Sequence, residues 1–64
     1  MANGRPQVYN VPKWADEYQY IVVSVVNDGE RWFYKAFNEL GKALEASWEL
    51  DKGEVLTKWK RLSF

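Results

Sequence analysis

The sequence predicts an α+β domain: a three-stranded antiparallel sheet with one helix, in the order β-β-α-β. Three observations carry this. Residues 18–26 are a dense β-branched and aromatic run, an Asp28-Gly29 pair separates them from a second aromatic run, and one helical stripe begins after Asn38. Stiff χ1 angles suit the first run to a pleated strand.

Each element follows from local chemistry. Asp28-Gly29 is a preferred central pair for a type I′ hairpin, because both positions need positive φ. The chain then returns through residues 31–37, with Trp32, Tyr34 and Ala36 expected on one face and Arg31, Phe33, Lys35 and Phe37 on the other. Both faces are partly apolar, so one is expected on the helix and the other against a dimer mate, the N-terminal arm or a target. Asn38 has the chemistry of an N-cap, and Glu39 suits the positive end of a helix dipole. From Glu39 to about Leu50, Leu40, Ala43, Leu44, Ser47 and Leu50 form the expected buried stripe, opposite Lys42, Glu45 and Glu49. Gly53 reads as a left-handed stop, and Gly41 weakens the helix by about 1 kcal/mol relative to alanine. Residues 54–62 read as the third strand.

Residues 1–15, with Pro6, Pro12, Asn3, Gly4 and Asn10, read as an extended or disordered arm, and residues 16–64 as the domain. Val8, Tyr9, Val11 and Trp14 give the arm apolar hooks, so docking on the body, docking on a second subunit and disorder all stay open.

Composition points to binding rather than catalysis. The 64 residues include four Trp, four Tyr and three Phe, but no Cys and no His. A chain this short buries only about 60% of its unfolded surface. Trp14, Trp32, Trp48 and Trp59 therefore cannot all enter one monomeric core. Core burial supplies only about 3 to 5 kcal/mol at this size. With disulfides excluded and structural zinc sites rarely built from carboxylates alone, oligomerisation or partner binding is the remaining staple. Nine basic and nine acidic residues cancel, leaving no global field for nucleic acid or anionic membrane. The longest apolar stretch, residues 21–26, falls far short of the roughly 20 residues of a membrane span. The N-terminus lacks the apolar segment of a secretory signal, so an intracellular protein is expected.

The usual nucleophile-base triads cannot be assembled without His or Cys. Glu45 and Glu49 stand one helical turn apart, but a convex helix face offers no pocket to shift a pKa. They read as a solvated pair, and no enzyme, cofactor or metal is expected. Lys58-Trp59-Lys60-Arg61 mixes cations with an aromatic, as nucleic-acid surfaces do, but also fits an edge strand whose charges deter pairing. Trp48 falls on the shoulder of the stripe, between Leu44 and the charged side. Lidding the core and anchoring a contact both stay open there. The second reading makes Leu40, Leu44, Glu45, Trp48 and Glu49 a partner-binding patch, since aromatic anchors flanked by charge make up interface hot spots. Glu39, Glu45, Glu49, Asp51 and Glu54, against Lys42 and Lys52, form a locally acidic ridge suited to a basic target.

From Tyr18 onward the chain resembles the small uracil-DNA glycosylase inhibitors of Bacillus phages that replicate by protein priming. The resemblance spans residues 18–64 and rests on the Asp28-Gly29 turn, the aromatic strand at Trp32-Phe33, Leu44-Glu45 and Trp48 on the helix, and Glu54-Val55-Leu56 in the last strand. It implies a homodimer in the host bacterial cytoplasm. The helices of the two subunits would flank a groove that mimics DNA backbone and takes in the apolar loop the glycosylase inserts into DNA. Leu44 and Trp48 stand where the family has aromatic pocket residues, and Glu45 matches its helix glutamate. The departures are the neutral net charge, the leucine at Leu44 and the arm before Trp14. Two alternatives remain: a small DNA-binding domain using a strand face with Arg31, Lys35, Lys58 and Lys60, or an accessory protein that inhibits another host enzyme.

Overall fold

The computed structural model describes residues 6–62. Its elements are β1 (Gln7–Tyr9), a 3-10 helix (Lys13–Glu17), β2 (Tyr20–Val26), β3 (Glu30–Phe37), α1 (Leu40–Ser47), β4 (Gly53–Leu56) and β5 (Lys60–Leu62). The strands form one sheet in the order β4-β2-β3-β1-β5. β2 is antiparallel to β3 and β4, whereas β1 is parallel to both β3 and β5. The class is α+β as expected, but the sheet is five-stranded and mixed rather than three-stranded and antiparallel.

Two segments account for the difference. The stretch read as an arm supplies β1 and the start of the 3-10 helix; its first five residues lie outside the described part. Residues 54–62, read as one strand, are two. β4 pairs with β2 at one edge of the sheet, and Thr57-Lys58-Trp59 carries the chain to β5 at the other edge, beside β1. Within that crossing, Trp59 packs against the core cluster of Val8, Val11, Ala15, Ile21 and Val23.

Ile21, Val22 and Val23 are fully buried in succession, which requires cover on both faces of β2. Val22 faces α1, in a cluster with Ala43 and Ala46 and, around them, Tyr20, Tyr34, Phe37, Leu50 and Val55. Ile21 and Val23 face the other way, with Val8, Val11 and Ala15 and with Phe33, Ala36, Leu56 and Trp59 around them. The sheet face left open on sequence grounds is thus covered by the chain's own N-terminal segment.

Arg61 clamps that cover. Its Nε donates to the Val11 carbonyl at 2.9 Å, and its Nη2 donates to the Pro12 carbonyl at 3.1 Å and to Asp16 Oδ1 at 2.9 Å. Arg31 and Glu54 make a second ion pair, 2.7 Å long, across β2.

Several local expectations shift by a residue or more. Val22 pairs with Lys35 but Val23 pairs with Phe33, leaving Tyr34 as an extra residue in β3. This bulge breaks the expected alternation: Phe33 and Ala36 share one face, and Tyr34 and Phe37 the other. In the hairpin, Asn27 (φ 48°) and Asp28 (φ 64°) are the central pair, closed by the Gly29 N–H donating to the Val26 carbonyl at 3.0 Å. Gly29 follows at φ 127°. Glu39, not Asn38, occupies the N-cap position and makes no side-chain cap. Asn38 Oδ1 instead accepts a bond from the Gln19 N–H at 2.9 Å.

Gly53 is not a left-handed stop either; it opens β4. A Cβ there would collide with the Ser47 carbonyl oxygen, whereas one on Gly41 would meet nothing within 4 Å. The two glycines therefore respond oppositely to alanine. Gly53→Ala should cost about 2 kcal/mol or more, and Gly41→Ala should stabilise by about 0.5 to 1 kcal/mol. Urea unfolding midpoints of the two variants check both signs.

Candidate protein-contact face on α1

The side of α1 that touches the sheet is made of small residues. Ala43, Ala46 and Ser47 are buried, and the Ser47 hydroxyl donates to the Leu44 carbonyl at 2.7 Å. Gly53 brings β4 against the Ser47 backbone, so the helix lies close to the sheet. Leucines at that contact would have to lift the helix off.

The expected stripe is therefore rotated. Ala43 and Ser47 are inside and Leu50 is half-buried, but Leu40 and Leu44 are outside, at 48% and 37% exposure. Trp48, in the C-cap position, is 74% exposed. Leu40, Leu44 and Trp48 follow one another at successive turns and form a continuous apolar strip in solvent. An indole this exposed does not lid the core.

Beside the strip, Glu45 and Glu49 are also exposed. Between α1 and β3 they line a shallow cleft with Lys35, Phe37, Lys42 and Ala46. The Tyr34 hydroxyl donates to Glu49 Oε1 at 2.9 Å, while the Lys35 ammonium stands 5.3 Å from the Tyr34 ring centre. The bond to Glu49 holds the Tyr34 phenol above its ordinary value of 10.0, with desolvation and the Glu49 charge adding to the shift. Glu54 leaves the expected ridge, since its partner Arg31 lies on the sheet face away from α1. What remains is an apolar strip with a rim of mixed charge.

All five candidate residues, Leu40, Leu44, Glu45, Trp48 and Glu49, thus lie on one exposed helix surface. Gly41 and Lys42 belong to the same surface, although the expected patch did not include them. The signal for Gly41 was its cost to the helix, which nothing packed against it offsets.

The other tryptophans have neighbours. Trp14 meets Tyr18 and Phe33 edge to face at 5.9 and 5.7 Å. Trp32 stacks on Tyr9 at 5.0 Å, and its Nε1 donates to Glu30 Oε1 at 3.3 Å. Trp59 packs on the core. The cations considered for DNA do not converge. Arg31 is paired on the face away from α1, and Lys35 lies on the α1 side.

Among the described residues no cluster of His, Cys, Asp or Glu is arranged to hold a metal, and no helix is long and apolar enough to cross a membrane. No family model, no curated protein and no solved structure matches the chain.

Two measurements check this geometry. Trp48→Ala should change folding stability by no more than about 0.5 kcal/mol, while Ala43→Leu should cost about 1 to 3 kcal/mol by overpacking. Chemical denaturation separates them. Because the Tyr34 phenol is raised in the folded state, its bond to Glu49 contributes below the ordinary phenol range and is lost as pH rises through the folded value. In a spectrophotometric tyrosine titration, Glu49→Gln should move one tyrosine to lower pH.

Proposed function

We propose that this chain is a non-catalytic inhibitor that works by protein contact, and that its target is a uracil-DNA glycosylase, blocked by DNA mimicry. The exposure of Trp48, in line with Leu40 and Leu44, is the observation that carries the reading. An aromatic anchor beside aliphatic side chains, with charge at the rim, has the makeup of an interface hot spot.

The physical logic is direct. A glycosylase of this kind inserts an apolar side chain into DNA, and the Leu40-Leu44-Trp48 strip offers that side chain an alternative place out of water. Glu45 and Glu49 stand in for phosphate oxygens toward the basic cleft. In the full arrangement two chains associate, and their α1 helices flank the groove that takes in the apolar loop. The bacterial cytoplasm is where such a target works. Support for naming the glycosylase comes from the residue pattern from Gly29 onward; support for a contact role comes from the helix surface. The DNA-binding alternative loses ground to the pairing of Arg31 with Glu54 and of Arg61 with Asp16.

The test is uracil excision from DNA with increasing amounts of purified protein, across several bacterial glycosylases. Inhibition that saturates near stoichiometric protein is expected. Full activity at saturating protein with every enzyme would sink the reading. Trp48→Ala should weaken inhibition by about 2 kcal/mol, roughly 30-fold, with the fold intact.

A further inference from the structure

A second cleft lies on the side of the sheet away from α1, where the 3-10 helix meets the crossing from β4 to β5. Its volume is about 290 Å³, and Asp16, Tyr18, Gln19, Thr57, Lys58 and Trp59 line it. Two of these are aromatic, and both are held by neighbours: Trp59 by the core cluster, and Tyr18 by Trp14, edge to face at 5.9 Å. The Gln19 backbone is fixed as well, since its N–H donates to Asn38 Oδ1 at 2.9 Å. The polar ends around the cleft are not used up. Among the described residues, the Tyr18 hydroxyl, the Gln19 amide, the Thr57 hydroxyl and the Lys58 ammonium have no bonding partner in the chain. The Trp59 indole N–H has none either, and it is not sealed from solvent. Asp16, the one carboxylate of the lining, is paired with Arg61 at 2.9 Å. The cleft therefore has donors in excess beside two aromatic rings. Such a set suits a planar group that carries acceptors and a negative charge.

We propose that this cleft seats one unpaired base of single-stranded nucleic acid, stacked against Tyr18 and Trp59, with Lys58 on the adjoining phosphate. Stacking on aromatic side chains is the sequence-tolerant part of single-strand recognition, because every base has a π face. The Gln19 amide and the Trp59 N–H serve the base edge, where an amide can both donate and accept. Lys58, next to Trp59 in sequence, gives the phosphate its counter-charge. A base within a duplex has its faces covered by its neighbours and cannot use such a seat without being drawn out. The volume is at the lower limit of small-molecule sites, so one base fits. The cleft is open along the surface, so the strand can continue in both directions.

The motif Lys58-Trp59-Lys60-Arg61 thereby gains a use other than a basic strand face. Arg61 is taken up by the Val11 and Pro12 carbonyls and by Asp16, which leaves Lys58 as the cleft's own cation toward a phosphate. Affinity then rests on the stack, and a net charge of zero does not oppose it. One stacked base and one phosphate contact give a dissociation constant of about 0.1 to 1 mM. The cleft and the Leu40-Leu44-Trp48 strip are on opposite sides of the sheet, so the seat neither needs nor blocks the contact surface proposed above. The two readings fail separately.

Nitrogen-15 NMR of the whole chain, titrated with a short oligothymidylate, tests this. The four tryptophans give separate indole N–H signals, which Trp59→Phe and Trp48→Phe assign. The Trp59 indole and the Gln19 side-chain amide should shift along one saturation curve, while the Trp48 indole stays in place. Tyr18→Ala should weaken binding about 10-fold, and Tyr18→Phe, which keeps the ring, should retain most of it. Lys58→Gln, at an exposed position that leaves the fold alone, should weaken binding about 3-fold. It should also flatten the salt dependence from a slope of about −0.7, that of one phosphate contact on a single strand. Thymidine monophosphate should shift the same two signals at higher concentration, and inorganic phosphate should leave the Trp59 indole unmoved. The proposal is overturned by an unmoved Trp59 signal at about 5 mM oligonucleotide, or by an equal response to inorganic phosphate. A hairpin duplex or a free mononucleotide that binds as tightly as the strand would overturn it too, as would an affinity indifferent to both Tyr18→Ala and Lys58→Gln.

Discussion

Val8 sits between Arg31 on β3 and Arg61 on β5, and its strand is the only hydrogen-bonded neighbour β5 has among the described residues. β1 is three residues long and has one fully buried side chain. Its burial removes roughly 1.5 to 3 kcal/mol worth of apolar surface from water, a large share of what a core this small supplies. The sheet on one side of β1 and the edge strand on the other both depend on it. Arg61 reinforces the join, since it leaves β5 to satisfy the Val11 and Pro12 carbonyls and to pair with Asp16. Charge-assisted bonds to backbone carbonyls are among the stronger ones available to a half-exposed side chain.

Once Val11, Ala15 of the 3-10 helix and Trp59 cover one sheet face, α1 has to serve only the other, and it does so with small side chains. Close approach at Ala43, Ala46 and Ser47 fixes the rotation of the helix, and that rotation puts Leu40, Leu44 and Trp48 in water. The apolar strip is therefore a consequence of how the core is built, and truncating it leaves the core intact. Tyr34, displaced by the bulge onto the α1 side, adds the bond to Glu49 that orients one carboxylate of the rim.

Local chemistry made some of this legible. The β-branched run is β2, the Asn27-Asp28-Gly29 turn joins it to β3, and the helix follows where a stripe was expected. β1 was not legible, because three residues between two prolines carry no strand signal and its parallel partners are remote in sequence. Residues 57–59 contain neither Gly nor Pro to mark the break between β4 and β5. The face of α1 was misread for a different reason. Leucines and alanines recur at neighbouring helical angles, and the distance between helix and sheet, which sequence does not encode locally, decides which set is buried. For Trp48 both a core lid and a solvent-facing position were open on sequence grounds, and that distance places it in solvent.

Arg61 grips the Val11 carbonyl across a separation of 50 residues, and the parallel pairing of β1 with β5 spans a similar length. Closing so long a loop before any contact rewards it slows folding. The β2-β3 hairpin and α1 can form early from near neighbours, but the covered face and the far edge strand must wait for both ends of the described chain to meet. The covered face and the far edge strand thus hang on one long-range closure, the pairing of β1 with β5.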